Sequence, residues 1–236
     1  MLLDLHAHTS GISPCCLLDA KEILKRTKQA GLDGIVLCNH YVKSYVKESF
    51  EKWIDEYIAE FIYTKSFEKE FDVKVFFGVE VTMTYDPRIH ILLYGATPEF
   101  LRENKELYDL SLKELYELCH KNKIAVIQAH PFRKGTIVQN TNYLDGVEIN
   151  CHPYYDRTNS DILPPIALKN NLIVTCGCDY HGDTSYRASA GTYIPDSIEN
   201  ELDLAKYLLE TENIKLRIQE LNEEDFYERE FNVKRK

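Results

Sequence analysis

The chain opens Met1-Leu2-Leu3-Asp4-Leu5-His6-Ala7-His8-Thr9, one extended segment that ends in two imidazoles. Side chains alternate across a strand with period two, so Asp4, His6 and His8 share one face and Leu3, Leu5 and Ala7 take the other. Two imidazoles spaced i, i+2 at a strand's C-terminal end can bite one cation without bending the backbone. A lone His-x-His also recurs by chance, so the other ligands must come from elsewhere in the chain.

Residues 9–16, Thr-Ser-Gly-Ile-Ser-Pro-Cys-Cys, are rich in turn formers and read as a loop. Asp19 reads as an N-cap with Glu22 three residues on, the capping-box pattern. Ile23, Leu24, Thr27 and Ala30 give the helix an apolar side, and Gly31 ends it. Gly34-Ile35-Val36-Leu37-Cys38 is an apolar run of strand length that delivers Asn39 and His40 at its end. This strand–helix–strand unit predicts a parallel sheet buried on both faces.

Further along, Phe50, Trp53, Ile54, Tyr57, Ile58, Phe61 and Ile62 recur at helical spacing within residues 46–70, a stripe expected to pack into the core. A third strand covers 73–81 with Glu80 inside it. Asp86-Pro87 marks a turn, and a fourth strand runs over 90–95 from His90. Residues 97–122 are expected as helix in two pieces, and 124–129 as a fifth strand ending at His130-Pro131-Phe132-Arg133. The sixth strand is 146–150, a short helix spans 164–171, and the seventh strand, 172–176, ends in Gly177-Cys178-Asp179-Tyr180-His181. A short strand at 192–194 and a helix at 198–209 follow. The charged tail from Glu220 is expected to pack weakly or as a surface helix. No repeat or linker interrupts residues 1–236, so one α/β domain is expected.

Bulk properties narrow the function classes. Formal net charge is −10, from 38 acids against 28 bases, the wrong sign for wrapping duplex nucleic acid. No apolar run is long enough to span a bilayer. The first residues show no basic region or cleavage site, and the seven cysteines are an odd number, so free thiols in a reducing cytoplasm are expected.

Six of the eight histidines, His6, His8, His40, His90, His130 and His181, lie at or beside a strand end, as do the acids Glu80 and Asp179. In a barrel of parallel strands the C-terminal ends converge on one rim, where such folds place their chemistry. Imidazole and carboxylate donors without committed thiolates suit Zn, Mn or Fe. His120 ends a helix, where a cation suits the dipole, and His152 reads as a neighbour of the rim rather than a ligand.

These residues carry a resemblance. Asp-x-His-x-His-Thr at 4–9, Gly-Leu-Asp-Gly-Ile-Val-Leu-x-x-His at 31–40, Gly-Val-Glu at 78–80, His-Pro at 130–131 and Gly-x-Asp-x-His at 177–181 resemble, in order, the motifs of the PHP (polymerase and histidinol phosphatase) superfamily. The resemblance implies a distorted (β/α)7 TIM-like barrel, two or three divalent metal ions at its rim, and hydrolysis of phosphoesters. It implies one metal on His6, His8, Asp179 and a bridging Glu80, another on Glu80, His90 and His130, and a third on His40 and His181. Asp179 would accept the proton of the attacking water. Asp4 and Glu148 are candidates to orient ligand imidazoles, although Glu148 also reads as a salt-bridged acid.

A small phosphorylated substrate needs cationic partners, and Arg133 and Arg187, with Lys134 behind them, are the candidates on rim loops. Tyr85, Tyr154, Tyr155 and Tyr180 either shape the pocket or cover apolar surface. Two stretches depart from the superfamily pattern. An Asp or His is common soon after the His-x-His pair, where this chain has Cys15 and Cys16. The usual Thr-Asp-His is Cys38-Asn39-His40 here. The third metal would therefore find Cys15, Cys16 or no ligand at that place. The expected activity is hydrolysis of a small phosphomonoester. Alternatives are a nuclease, a phosphotyrosine phosphatase or a metal-binding domain without turnover, and the oligomeric state is open.

Overall fold

Strand β1 (Leu2–Ala7) is buried at every position, as a strand covered on both faces has to be. The computed structural model to which it belongs describes residues 1–152, 158–182, 188–220 and 225–234. Asp19 caps α1 (Ala20–Gln29): its carboxylate accepts from the N–H groups of Lys21 and Glu22, and the Glu22 side chain reaches back to the Asp19 N–H. Then β2 (Gly34–Leu37) pairs parallel to β1, completing the expected βαβ unit.

After β2 the chain forms a two-residue strand, β3 (His40–Tyr41), then α2 (Phe50–Lys65) and α3 (Glu68–Phe71). Next comes the long β4 (Lys74–Thr82), which pairs parallel with β2 through its first half and with β3 through its second. The aromatic stripe of α2 is core. Trp53 lies 4.8 Å from Tyr41, and Phe61 lies 4.8 Å from Phe77 of β4.

Then the parallel order breaks. β5 (His90–Tyr94) runs antiparallel to β4, with Thr82 opposite His90. After α4 (Pro98–Glu103) and α5 (Leu112–Lys121) comes β6 (Ala125–Gln128), antiparallel to β5 in turn. The expectation of an all-parallel sheet is therefore corrected at β5. Residues 83–89 are too few for a crossover helix, which takes a dozen or more, so the chain turns straight back. Reversal has a useful result: the N-terminal start of β5, where His90 sits, lies at the same rim as the C-terminal ends of its neighbours. β7 (Gly146–Asn150), α6 (Leu163–Lys169) and β8 (Ile173–Gly177) restore the parallel pattern.

The sheet nearly closes on itself. Beyond β8, Asp179 N–H donates to His6 O at 2.7 Å and Tyr180 bridges to Ala7 in parallel. Asp4 adds to this seam, its Oδ1 accepting from the N–H of His6 at 2.9 Å and of Cys178 at 2.8 Å. Seven strands, β1, β2 and β4 to β8, thus enclose one apolar interior in a distorted, barrel-shaped α/β fold.

On the other side of β1 the sheet continues through β9 (Gly191–Tyr193), and α7 (Glu201–Glu210) leads into β10 (Asn213–Gln219) and β11 (Phe226–Asn232), all antiparallel. The charged tail is therefore an edge strand and not a surface helix. Only Phe231 of β11 is buried, and the strand is held by a full ladder to β10. Among the described residues no helix is long and apolar enough to cross a membrane.

Candidate metal centre

Glu80 occupies the middle of the rim. It is fully buried, and its two carboxylate oxygens lie within ion-pair distance of five imidazoles: His6 at 3.4 Å, His8 at 3.7 Å, His90 at 2.7 Å, His130 at 3.1 Å, and His40 closer still. Four different stretches supply them. His6 and His8 come from the end of β1, His40 from β3, His90 from the start of β5, and His130 from the turn after β6. Burial alone would raise the Glu80 carboxyl, but His90, His40 and His6 hold it well below the usual carboxylate range.

A second carboxylate, Asp179, enters from the turn after β8. Its Oδ1 lies 3.0 Å from His8 Nε2 and 3.5 Å from both His6 Nε2 and His181 Nδ1. Its Oδ2 accepts from the Arg133 guanidinium at 2.7 Å. Burial opposes ionisation of Asp179 too, yet His6 and Arg133 keep it well below its ordinary value. Asp179 and His130 both hold positive φ, 50° and 32°. This backbone region is costly for residues with a Cβ and tends to be kept where a side chain must be aimed.

The rings are oriented from behind. Glu148 of β7 accepts from His6 Nδ1 at 2.9 Å, so Nε2 is the nitrogen turned toward Glu80 and Asp179. The other Glu148 oxygen accepts from the His130 N–H at 3.1 Å and from Asn150 Nδ2 at 3.0 Å. His181 Nδ1 donates to the Asp179 carbonyl at 2.7 Å. Such outer hydrogen bonds fix the tautomer of a ligand imidazole. Asp4, by contrast, accepts from the backbone N–H groups of His6 and Cys178 and, among the described residues, hydrogen-bonds no ring; burial pushes its carboxyl up to about 7.

The donor set fits divalent cations. Among the described residues, three groups place one donor atom per residue within 4.8 Å of one another: His8, His40 and His181; His6, His8 and Glu80; and His40, Glu80 and His90. Within them, His6 Nε2 makes no hydrogen bond among the described residues, nor does His130 Nδ1 beside them, while His40 Nδ1 and Glu80 Oε2 make none but stand in ion-pair contact with each other. Buried polar atoms left without partners are costly, and a cation would satisfy them. All eight residues read as ligands from the sequence thus meet at one rim. The grouping differs from the expected sets: His40 approaches Glu80 and His90 as well as His181, because β3 pairs directly with β4, His40 opposite Glu80; His8 joins His40 and His181; and His130 and Asp179 fall in none of the three groups.

Charge divides the imidazoles. Burial and the neighbouring His40 and His181 lower His8, and burial with Arg133 lowers His130. Burial also disfavours the charged forms of His6 and His40, but carboxylates outweigh it, Glu148 and Asp179 for His6 and Glu80 for His40, which is held at about 10. Cation binding would expel those protons, since a ligand imidazole is neutral.

A cleft of about 340 Å3 opens over the cluster, lined by cationic Arg88, Arg133 and Lys134 opposite the histidines. Arg133 also donates to Asn150 Oδ1 at 2.8 Å. Arg187, Tyr154 and Tyr155 lie outside the described residues. Tyr180 is buried, with its hydroxyl bonded to Arg26 of α1, and Tyr85 is exposed. His152 lies beside the site, its ring 5.5 Å from that of His181, whereas His120 pairs with Asp145 elsewhere.

Sequence reasoning missed Arg88, which follows a turn and carries no pattern, and Asn150, whose place at the end of β7 was a usable signal. It also left open what Asn39 does. The Asn39 amide is buried and engaged away from the cleft: its oxygen accepts from Thr9 N–H and Ser13 Oγ, both at 2.9 Å, and its nitrogen donates to Thr9 Oγ1 at 3.0 Å. All seven cysteines are free thiols. Cys15 is exposed and lines the cleft, whereas Cys16 is buried. Burial raises the Cys15 thiol, but hydrogen bonds to His181 and His40 bring it down to about 6.

No protein-family model matches the chain, and no curated protein does. Two solved structures are similar to it. One is PsfC from Pseudomonas syringae, 15% identical over 87% of this chain and 86% of that one, with a TM-score of 0.59. The other is an amidohydrolase from Chromobacterium violaceum, solved with bound sulfate and no metal, 12% identical over 87% of this chain and 96% of that one, with a TM-score of 0.51. At these identities the likeness speaks for a shared barrel-like fold and leaves the chemistry to the side chains.

Proposed function

We propose that this protein is a metal-dependent hydrolase that cleaves phosphoesters, with a small phosphomonoester as substrate, in the manner of the PHP superfamily that its motifs resemble. One observation carries the reading: a buried carboxylate, Glu80, within ion-pair reach of five imidazoles on the floor of an open, cation-lined cleft. Two or three divalent ions, held by His6, His8, His40, Glu80, His90, His130, Asp179 and His181, would supply Lewis acidity, bringing water toward ionisation at neutral pH and drawing charge from the ester oxygens.

The chain's own groups do the rest. Asp179 takes the proton from the attacking water on a carboxylate oxygen that its neighbours keep ionised. Arg133, nine-tenths buried against Asp179, lines the cleft where its guanidinium can meet a phosphate oxygen in a charge-assisted hydrogen bond. Lys134 and Arg88 add positive charge at the mouth of the cleft. Glu148 holds His6 in the tautomer a ligand needs.

Amide hydrolysis is the second reading, favoured by the description of the Chromobacterium violaceum neighbour as an amidohydrolase. The three cations of the cleft argue for an anionic substrate over a neutral amide. Protein loaded with Zn, Mn or Fe is expected to turn over an aryl phosphate faster than an aryl amide, and His8→Ala to abolish that turnover. Arg133→Ala should raise KM for the phosphate roughly 10- to 100-fold, the loss of one charge-assisted hydrogen bond. Tightly bound cation with no turnover on a broad phosphoester panel would sink the assignment.

A further inference from the structure

Cys15 and Cys16 are neighbours in sequence with opposite surroundings. The Cys16 thiol packs against the carbonyl oxygens of His8 and Leu18 at 3.4 and 3.7 Å, away from solvent. Cys15 lines the cleft together with His40 and His181. Both rings belong, with His8, to the one donor group of the three that contains no carboxylate.

The backbone around Cys15 is pinned to those same histidines. Ser13 Oγ accepts from the His40 N–H at 3.1 Å on one side of it, and Leu17 N–H donates to His181 O at 2.8 Å on the other. Ser13 is itself held by Asn39, and Pro14 stiffens the step between. The thiol is thus positioned by contacts to the residues it sits between. Because His181 Nδ1 is committed to the Asp179 carbonyl, its Nε2 is the nitrogen with a lone pair to give.

We propose that Cys15 Sγ, as a thiolate, joins the imidazoles of His40 and His181 in holding a cation apart from those on Glu80, and that this thiolate makes the position selective for zinc. The proposal rests on the metal-dependent reading above and adds to it a soft donor in place of a carboxylate or imidazole. Thiolate and imidazole donors favour zinc over manganese or magnesium, which prefer oxygen. Binding releases the thiol proton to solvent. The departure at Cys15 is then a change of ligand chemistry, not the loss of a ligand.

Two measurements on the full chain test this. Stripped protein reloaded with Co2+ should show a near-ultraviolet sulfur-to-cobalt charge-transfer band, present in Cys16→Ser and absent from Cys15→Ser, which should also retain one equivalent less zinc by elemental analysis. Cys15 is exposed, so the serine variant is expected to keep the wild-type circular dichroism. Independently, zinc should protect Cys15 from alkylation by iodoacetamide; it is the exposed thiol among seven, the other six being buried. Cobalt taken up at full stoichiometry without the band, or zinc-loaded protein alkylated at the metal-free rate, overturns the role of Cys15 alone. Wild-type protein that takes up no cobalt overturns the metal-dependent reading together with it.

Discussion

Glu148 shows how a residue that need touch no cation can govern one. Its carboxylate spans the Nδ1 of His6 and the N–H of His130, two positions 124 apart in number but adjacent at the rim. Glu148→Gln keeps the volume and loses the charge that fixes the His6 tautomer. Cation affinity is expected to fall roughly 10- to 100-fold, the usual cost of removing such a partner; isothermal titration with zinc measures it. An unchanged affinity would mean that His6 needs no orientation. The donors were readable from sequence because a His or Glu at the end of an apolar run is conspicuous. What Asn39, Ser13 and Cys15 face was not, since a loop side chain's environment is made by segments far away in the chain.

Elements repeat this lesson in another form. Strand length and position were largely readable, but direction was not taken from the one signal that held it, a connection at 83–89 too short for a helix. β10 was passed over although Ile214, Leu216 and Ile218 alternate with polar residues and are buried, the period-two mark of a half-covered strand. β11 lacked such a mark because an edge strand with one buried residue resembles any charged tail. The join between β8 and β1 leaves no room for an added side chain. A Cβ on Gly177 would lie 2.6 Å from His6 Cβ and 2.8 Å from Glu148 Oε1. Gly177→Ala must therefore push β8 off β1. We expect it to weaken cation binding at least as much as Glu148→Gln while far-ultraviolet circular dichroism stays native; wild-type affinity would show that the seam yields without moving His6.

For the molecule as a whole, cations and fold are linked. A bound ion that the unfolded chain does not hold stabilises the folded state, by about 4 kcal/mol at a thousand times its Kd, so chelation should lower Tm on the order of 10 °C. The metal-free protein should also show a pH dependence that the loaded protein lacks. His40 is raised from 6.5 to about 10 in the folded state, so its contribution is complete below pH 6.5 and is lost as pH rises through 10. Glu80 and Asp179 are lowered, and theirs is lost on acidification. Tm of chelated protein should fall from neutral pH toward pH 10, and that of zinc-loaded protein should hold; parallel curves would remove His40 from the account. The barrel shape came from the βαβ signal and the superfamily motifs together, whereas its antiparallel flap of β9 to β11 lay outside both.

The hairpin of β4 and β5 also sets an order in time. Glu80 and His90 are 10 residues apart, whereas His8 and Asp179 are 171 apart. Short loops close cheaply and long ones late, so the six of the eight donors that precede β8 can assemble while that strand is still unplaced. A nascent chain therefore meets free ions first with an incomplete grip, and becomes a tight binder only when Tyr180 reaches Ala7.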